Sequence, residues 1–272
     1  MRYIRASMLP SYNDCARRTA AKQYRKDVEA HGFELRKLPP SIGAAVGTAV
    51  HKVVESILRG KMETGTPGTL DAGMEKGLAS FREEIAPGAE WDATTPNSMA
   101  AEEQIKRLAS AYLPRVPSVT PEAVELSLEV DSGGWAVTGH IDLLTAEGRV
   151  EDLKTGSIRR PYQAQLGAYS LLARSNGYEV KELGTLFIPR VRPKVPQPMP
   201  EWQAYPRGVS EAAAFSTIEN IKRDMTAFLA DGDPYHLPAN PMSLVCSPRY
   251  CPAFGTSFCR LHLERPSAEI AD

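Results

Sequence analysis

The sequence has 272 residues, of which 42% are hydrophobic and 24% are charged, so it is long enough to bury a substantial core. Its formal net charge of −1 excludes a uniformly basic nucleic-acid coat protein, and contacts with DNA would have to use local basic patches such as Arg17-Arg18, Arg159-Arg160 and 190–194. No apolar run is long enough to cross a membrane and the N-terminus lacks the apolar core of a signal peptide, so we expect a cytoplasmic protein without membrane contact.

The first half of the chain has the periodicity of helices. Residues 14–30 are rich in Ala, Lys and Arg and predict one helix, which Pro39-Pro40 separates from the next. Residues 49–58 carry apolar side chains at helical spacing, which predicts a helix with one buried face. Two further helices are predicted, at 70–84 and 98–112.

A change of period marks the start of a sheet. From Val124 onwards apolar residues alternate with polar ones, which is the two-residue period of a strand with one wet face. Turn residues at 132–134 and 147–148 divide this region into an antiparallel meander. The three predicted strands cover 123–130, 135–145 and 149–154.

The rest of the chain returns to helix. A helix is predicted at 162–174 because Asn176-Gly177 is a typical C-terminal cap, and the apolar run 183–188 predicts a strand. Six prolines predict an irregular loop at 189–206, and a final helix is predicted at 210–230. We therefore expect an α/β fold of the mixed α+β kind, with a central mixed sheet flanked by helices.

The third predicted strand carries an acid and a lysine on one face. Residues two apart on a strand point the same way, so Asp152 and Lys154 project together, as a surface ion pair would also do. Asp142 lies one hairpin away, where its carboxylate can converge with Asp152 on a hard cation such as Mg²⁺ or Mn²⁺. On the upstream helix, His51 and Glu55 share a face at i,i+4, a place where a lone histidine is more often a packed or capping residue.

Four motifs follow one another between Gly47 and Tyr169. They are Gly47-Thr-Ala-Val-His51-Lys-Val-Val-Glu55, Gly139-His-Ile-Asp142, Asp152-Leu-Lys154-Thr-Gly156 and Gln163-Ala-Gln165-Leu-Gly-Ala-Tyr169. In order and spacing they resemble the RecB-like branch of the PD-(D/E)XK nucleases. The resemblance implies a PD-(D/E)XK, restriction-endonuclease-like core.

The resemblance also implies a catalytic centre. His51, Asp142 and Asp152 would bind a divalent metal, Mg²⁺ or Mn²⁺. Lys154 would orient or activate the attacking water and steady the phosphate, so Asp142, Asp152 and Lys154 form the expected catalytic set. The implied reaction is in-line attack of water on a phosphodiester, with metal charge stabilising the transition state.

Four more positions are candidates for supporting roles. Gln165 and Tyr169 match the Gln-x-x-x-Tyr element that the family associates with gripping the nucleic acid, although a surface amide and a packed aromatic would give the same pattern. Glu55 and Glu125 are candidates for accessory acids near the metal.

One early cysteine and three late ones flank these motifs, namely Cys15, Cys246, Cys251 and Cys259. This arrangement resembles the iron-sulfur exonucleases of the same branch, which include CRISPR-associated spacer-processing exonucleases and the AddB nuclease domain. The resemblance implies a [4Fe-4S] cluster that joins the two ends of the domain, although the late cysteines are spaced more widely here than that branch commonly shows. Zn²⁺ bound by the four cysteines and free buried thiols are the alternatives.

A single domain is expected over 1–272, with 1–40 and 240–262 forming the cysteine-bearing clasp and 263–272 a flexible tail. The resemblance implies a DNA exonuclease that acts on single strands or ends in recombination, repair, phage DNA metabolism or CRISPR adaptation. A structure-specific or restriction-like endonuclease and a non-catalytic DNA-binding adaptor that keeps the fold are the alternatives. A homo-oligomer, or a recombination or CRISPR protein as partner, is left open.

Overall fold

The structure is a computed structural model that describes residues 2–260. The described chain contains six strands, β1 (Arg2–Arg5), β2 (Pro121–Asp131), β3 (Trp135–Thr145), β4 (Arg149–Gly156), β5 (Glu182–Pro189) and β6 (Glu201–Tyr205). Its α-helices are α1 (Leu9–Asp14), α2 (Ala16–Gln23), α3 (Arg25–Ala30), α4 (Ile42–Thr64), α5 (Leu70–Ile85), α6 (Ser98–Tyr112), α7 (Gln163–Ser175) and α8 (Arg207–Asp231). The tail predicted at 263–272 lies outside the described residues.

The strands form one mixed sheet in the order β1-β3-β4-β5-β6, with β2 paired to the other edge of β3. β1 pairs with β3 in parallel along 135–138, and β4 pairs with it antiparallel at Leu143 and Leu144. On the edge of β3 that these two strands share, residues 139–142 therefore lie between the end of β1 and the start of the pairing with β4. The predicted meander and the predicted mixed sheet flanked by helices are both confirmed.

Two apolar cores cover the two faces of the sheet. Val150 and Leu183 pack with α7, α8 and the N-terminal helices, whereas Leu153 and Leu186 pack with α4, α5 and α6. Alternate residues of a strand face opposite sides, so these pairs assign one helical layer to each face. None of the described helices is both long and apolar enough to cross a membrane.

Glycine at position 167 permits the close crossing of α7 over α8. A Cβ atom on Gly167 would overlap the backbone carbonyl of Ser210, which neither helix could accommodate without moving apart. This contact fixes α7 against the rest of its layer and so fixes the side chains that α7 directs at β3 and β4.

The region 14–30 is helical as predicted but is not one helix, because α1 ends at Asp14 and the short helices α2 and α3 follow. Cys15 interrupts the first two with an extended backbone (φ −160°, ψ 104°), and its sulfur caps α2 by accepting a hydrogen bond from the Arg18 backbone at 3.5 Å. A second break falls at Tyr24. β1 was not predicted, since only Ile4 of its four residues is buried and its partner strand lies far along the chain.

The proline-rich segment 189–206 is only partly irregular, because it ends in β6. None of its prolines falls within 201–205, so the backbone N–H groups of that stretch can pair antiparallel with β5. The preceding loop is tied to α6, where Gln104 and Arg107 donate hydrogen bonds to carbonyls of the loop.

Three arginines suggested as surface patches are buried. Arg17 and Arg18 are 4% and 5% exposed, and Arg190 is 7% exposed. Arg190 forms an ion pair with Asp92 at 2.7 Å. These three side chains therefore hold the fold together and present no charge to a nucleic acid, whereas Arg160 is exposed.

Candidate active site

Helix α4 and the β2–β3 hairpin bring three metal-binding groups together. His51 Nδ1 lies 3.3 Å from Asp142 Oδ1 and 4.0 Å from Glu125 Oε1. Their donor atoms all lie within 4.8 Å of one another. One imidazole nitrogen and two carboxylates at this separation can share a single divalent ion.

Glu125 reaches this group through an unusual backbone. It is the one described non-glycine residue with a positive φ, 53°, a conformation that costs about 1–3 kcal/mol in a non-glycine residue. β2 pairs with β3 through Val124 with Leu143 and Leu126 with Ile141, and this register places Glu125 opposite Asp142. The Glu125 carboxylate lies beside His51, from a strained position within β2.

Asp152 and Lys154 lie on β4, beside these three residues, and share one strand face as the two-residue period predicted. Lys154 Nζ donates to Asp152 Oδ1 at 3.0 Å and lies over the ring of Tyr162, 4.8 Å from its centroid. Asp152 Oδ2 is 2.8 Å from the same ammonium but accepts no hydrogen bond from any described residue. A buried carboxylate oxygen in this state is available to a ligand.

The charges in the site are strongly coupled. Burial by itself would lower the pKa of His51, but the charge of Asp142 and its hydrogen bond outweigh burial and raise that pKa to about 9. Asp142 shows the reciprocal effect, because His51 holds its pKa below the ordinary value despite burial. Burial raises the pKa of Asp152 to about 6, although Lys154 opposes the shift.

Two neighbouring polar side chains were not predicted. His140 Nε2 lies 2.6 Å from Glu125 Oε2, and its Nδ1 lies 2.9 Å from Ser127 Oγ. The chain Ser127-His140-Glu125 therefore holds the carboxylate that faces His51. His140 belongs to the Gly139-His-Ile-Asp142 motif, and its position two residues before Asp142 on the same strand face was the signal available in the sequence.

Gln165 and Tyr169 lie at the base of the site and are each 3% exposed. Gln165 Nε2 donates to Tyr169 Oη at 2.8 Å and lies 3.3 Å from Asp152 Oδ1. Gly139 permits this arrangement, since a Cβ there would meet the ring of Tyr169. Gln165 therefore donates to the same Asp152 oxygen as Lys154, and Tyr169 holds Gln165 in place.

Glu55 lies one helical turn beyond His51 but is engaged elsewhere. Its carboxylate pairs with Lys52 and Arg59 on α4, each at 2.8 Å. It lines a small cavity next to His51 and Glu125, which keeps it a candidate accessory acid.

The four cysteines meet at a second place, where the two ends of the described chain come together. Cys15, Cys246, Cys251 and Cys259 line one cavity, and none forms a disulfide. Burial raises the pKa of the Cys246 and Cys251 thiols, and nearby cysteine sulfurs add to each shift.

An open cleft of about 560 Å³ gives access to the acidic centre. It is lined by Asp142, Asp152 and Lys154, by Arg5 at the end of β1, and by Ser7 just beyond that strand. The cleft follows the edge of β3 at 139–142, between β1 and β4.

A family model for the PD-(D/E)XK nuclease superfamily matches residues 6–259. The chain belongs to the PD-(D/E)XK nuclease superfamily. Members of this superfamily use divalent metals, and the His51, Glu125 and Asp142 group is a site of that kind. No curated protein matches the chain.

Among solved structures, the chain is similar to a candidate exonuclease from Eubacterium rectale. The TM-score is 0.59, with 11% identity over 90% of this chain and 87% of that one, a likeness that shows the fold alone. SSO0001 is more distant, at a TM-score of 0.28 and 17% identity over 72% of this chain and 83% of that one. LHK-Exo in complex with dAMP has a TM-score of 0.32 and 8% identity over 70% of this chain and 96% of that one.

The Gln-x-x-x-Tyr element, Gln165 and Tyr169, could either position Asp152 or bind the nucleic acid, and a substitution distinguishes the two roles. We expect Tyr169→Phe to lower nuclease turnover about fivefold, because Gln165 loses an acceptor worth roughly 1 kcal/mol and holds Asp152 less firmly. The dissociation constant for a single-stranded oligonucleotide should stay the same. Tyr178→Phe, outside the cleft, is the matched control. Weaker binding with unchanged turnover would assign the element to gripping instead.

Proposed function

We propose that this chain is a Mg²⁺- or Mn²⁺-dependent DNA exonuclease that acts on single strands or ends. The observation that carries the proposal is the convergence of His51, Glu125 and Asp142 beside the Asp152-Lys154 pair. Asp142, Asp152 and Lys154 line an open cleft. This arrangement offers a cation site, a buried acid and an ammonium within reach of one phosphodiester.

The donor chemistry suits a hard divalent ion. His51, Asp142 and Glu125 would hold it, and Asp152 Oδ2 is a buried acceptor with no hydrogen bond from the described chain that can join them. A bound ion would supply Lewis-acid activation of water and stabilise charge that develops on the phosphate. Oxygen-rich sites with a single imidazole fit Mn²⁺ well and Mg²⁺ acceptably.

Side chains of the protein orient the water and the phosphate and hold the two acids Asp152 and Glu125 in place. Lys154, with its pKa raised by Asp152 and Asp142 against the lowering effect of burial, stays an ammonium that can orient water and steady a phosphate oxygen. Gln165 and Lys154 both donate to Asp152 Oδ1, so the site is organised before substrate arrives. His140 and Ser127 do the same for Glu125.

Two observations favour an exonuclease over other members of the superfamily. The four motifs resemble the RecB-like branch, and the solved structure with the higher TM-score is described as a candidate exonuclease. We place the chain in that branch, which implies a role in recombination, repair, phage DNA metabolism or CRISPR adaptation.

We also propose that the four cysteines bind a [4Fe-4S] cluster. All four line one cavity, which gives the site a complete set of thiol ligands. Tetrahedral Zn²⁺ would need sulfurs within roughly 3.8 Å of one another, by the usual Zn–S length. In the described chain, no three of these sulfurs all lie within 4.8 Å of one another. A cubane cluster suits such wider spacing.

Digestion of labelled DNA tests the exonuclease. With Mg²⁺ or Mn²⁺ and anaerobically purified protein, we expect loss of end-labelled linear single strands and survival of closed circular single strands. The physical reason is that an exonuclease must engage an end. Cleavage of the circle would identify an endonuclease, and binding without cleavage of either substrate would identify a non-catalytic adaptor.

A further inference from the structure

Arg5 occupies a defined place beside the candidate active site. It is the last residue of β1 and pairs in parallel register with Thr138 of β3. From Thr138, β3 continues directly into 139–142, the stretch that ends in Asp142. The Arg5 side chain is exposed and lines the same cleft as Asp152 and Lys154.

The charge balance of the cleft leaves Arg5 available to an anion. Among the described residues that line the cleft, Arg5 and Lys154 carry a permanent positive charge. Lys154 is occupied by Asp152, with contacts of 2.8 and 3.0 Å. Arg5 instead donates to the neutral amide oxygen of Gln23 at 3.1 Å, which orients the guanidinium without neutralising it.

A phosphodiester strand needs cationic partners in this cleft. Glu129, Asp142 and Asp152 line it as well, so carboxylates outnumber the cations Arg5 and Lys154 until a metal ion neutralises part of their charge. A guanidinium offers two parallel N–H donors to phosphate oxygens and keeps its charge at every relevant pH. Arg5 can therefore bind a phosphate, because its guanidinium forms no ion pair with a carboxylate of the described chain.

We propose that Arg5 binds a backbone phosphodiester of the substrate strand next to the scissile phosphate. The proposal rests on the proposed nuclease function and adds to it a substrate-positioning residue that no motif of the sequence marks. Arg5 is not part of the metal site, so its role is to hold the strand in register with Asp152 and Lys154.

Arg2 supplies a matched comparison on the same strand. Three positions separate Arg2 from Arg5, which places their side chains on opposite faces of β1. Arg2 is also exposed but pairs with Asp27 at 3.5 Å and does not line the cleft. Replacing Arg2 therefore removes the same charge from the same strand outside the cleft.

Binding of a fluorescent single-stranded oligonucleotide, measured with Ca²⁺ to prevent cleavage, tests the proposal. Arg5→Ala should weaken binding about tenfold, as loss of a charged hydrogen bond does. The slope of log Kd against log salt should fall by roughly 0.7, as expected for one lost phosphate contact on a single strand. Arg5→Lys should restore the slope, and Arg2→Ala should match the wild type.

The possible outcomes separate clearly. An unchanged Kd and salt slope for Arg5→Ala, or equal weakening by Arg5→Ala and Arg2→Ala, overturns the proposal. A penalty seen only with 5′-phosphorylated oligonucleotides overturns it too, since the contact would then be to a terminal phosphate. Arg5→Gln serves if the alanine variant melts at a lower temperature. Failure of the wild type to bind or cut any DNA would instead refute the proposed function.

Discussion

Replacing Asp152 with Asn, or Lys154 with Ala, is expected to lower the turnover of linear single-stranded DNA by roughly a hundredfold to a thousandfold, the usual cost of losing one preorganised charge at a reacting phosphate. Asp152→Asn removes a buried acceptor oxygen beside the metal-binding group. Lys154→Ala removes the ammonium that pairs with it. Initial rates at saturating Mn²⁺ measure both effects.

The control variants make the same changes of charge at exposed residues outside the cleft. Asp131→Asn changes an exposed acid at the end of β2, and Lys181→Ala changes an exposed lysine that pairs with Glu179. Both should retain wild-type rates. Far-ultraviolet circular dichroism should show that each active-site variant is folded. Variants that cut at the wild-type rate would remove Asp152 and Lys154 from the catalytic centre.

His51 and Glu125 extend the same experiment to metal affinity. Their ligand roles predict that His51→Ala and Glu125→Gln bind Mn²⁺ more weakly, so that activity recovers at higher metal concentrations. Lys154→Ala should not recover in this way, because the lysine is no ligand. The two patterns distinguish groups that hold the metal from the group that acts on water and phosphate.

The sequence was sufficient for those parts of the site that follow regular periodicity. Asp152 and Lys154 share a strand face because strands repeat every two residues, and His51 lies on a helix whose buried face was readable from apolar spacing. Asp142 followed from the hairpin that joins the strands. Local rules place each residue on its own element, whereas the meeting of His51 with Asp142 and Asp152 in one site was expected only from the family resemblance.

Other parts of the site depend on irregular backbone or on distant pairing. Glu125 has a positive φ, which no alternation of residues reveals, and its approach to His51 depends on how α4 packs on the sheet. β1 is four residues long, and its parallel partner lies more than a hundred residues later, so Arg5 gave no signal of the cleft it lines. Long-range pairing of this kind cannot be obtained from a single sequence by periodicity.

The buried Arg17 and Arg18 illustrate the same limit. Adjacent arginines usually indicate a solvated surface, but here Arg17 donates to the Leu237 and Pro234 carbonyls and Arg18 donates to Ser243. All three acceptors belong to the segment that precedes the late cysteines. These arginines are buried because the two ends of the described chain pack together, an arrangement that only the tertiary structure reveals.

Loss of one cysteine ligand is expected to have the second large effect. Cys251→Ser should abolish the visible absorption and the iron content of anaerobically purified protein. It should also lower Tm by about 10 °C or more, since metal binding at such a site contributes several kcal/mol to folding. Ser257→Ala, an exposed serine in the same segment, is the matched control.

The size of that effect depends on what else joins the two ends. Phe258 packs against Phe33 and Phe228 with ring centroids 5.1 and 5.7 Å apart, and Arg36 donates to the Pro248 carbonyl at 2.8 Å. These contacts should keep the variant folded at low temperature, so the loss should appear as a lower melting temperature and not as complete unfolding. Zinc in place of iron in the wild-type protein would contradict the cluster and support a four-cysteine zinc site. An unchanged Tm in Cys251→Ser would show that the apolar and hydrogen-bonded contacts alone hold the ends together.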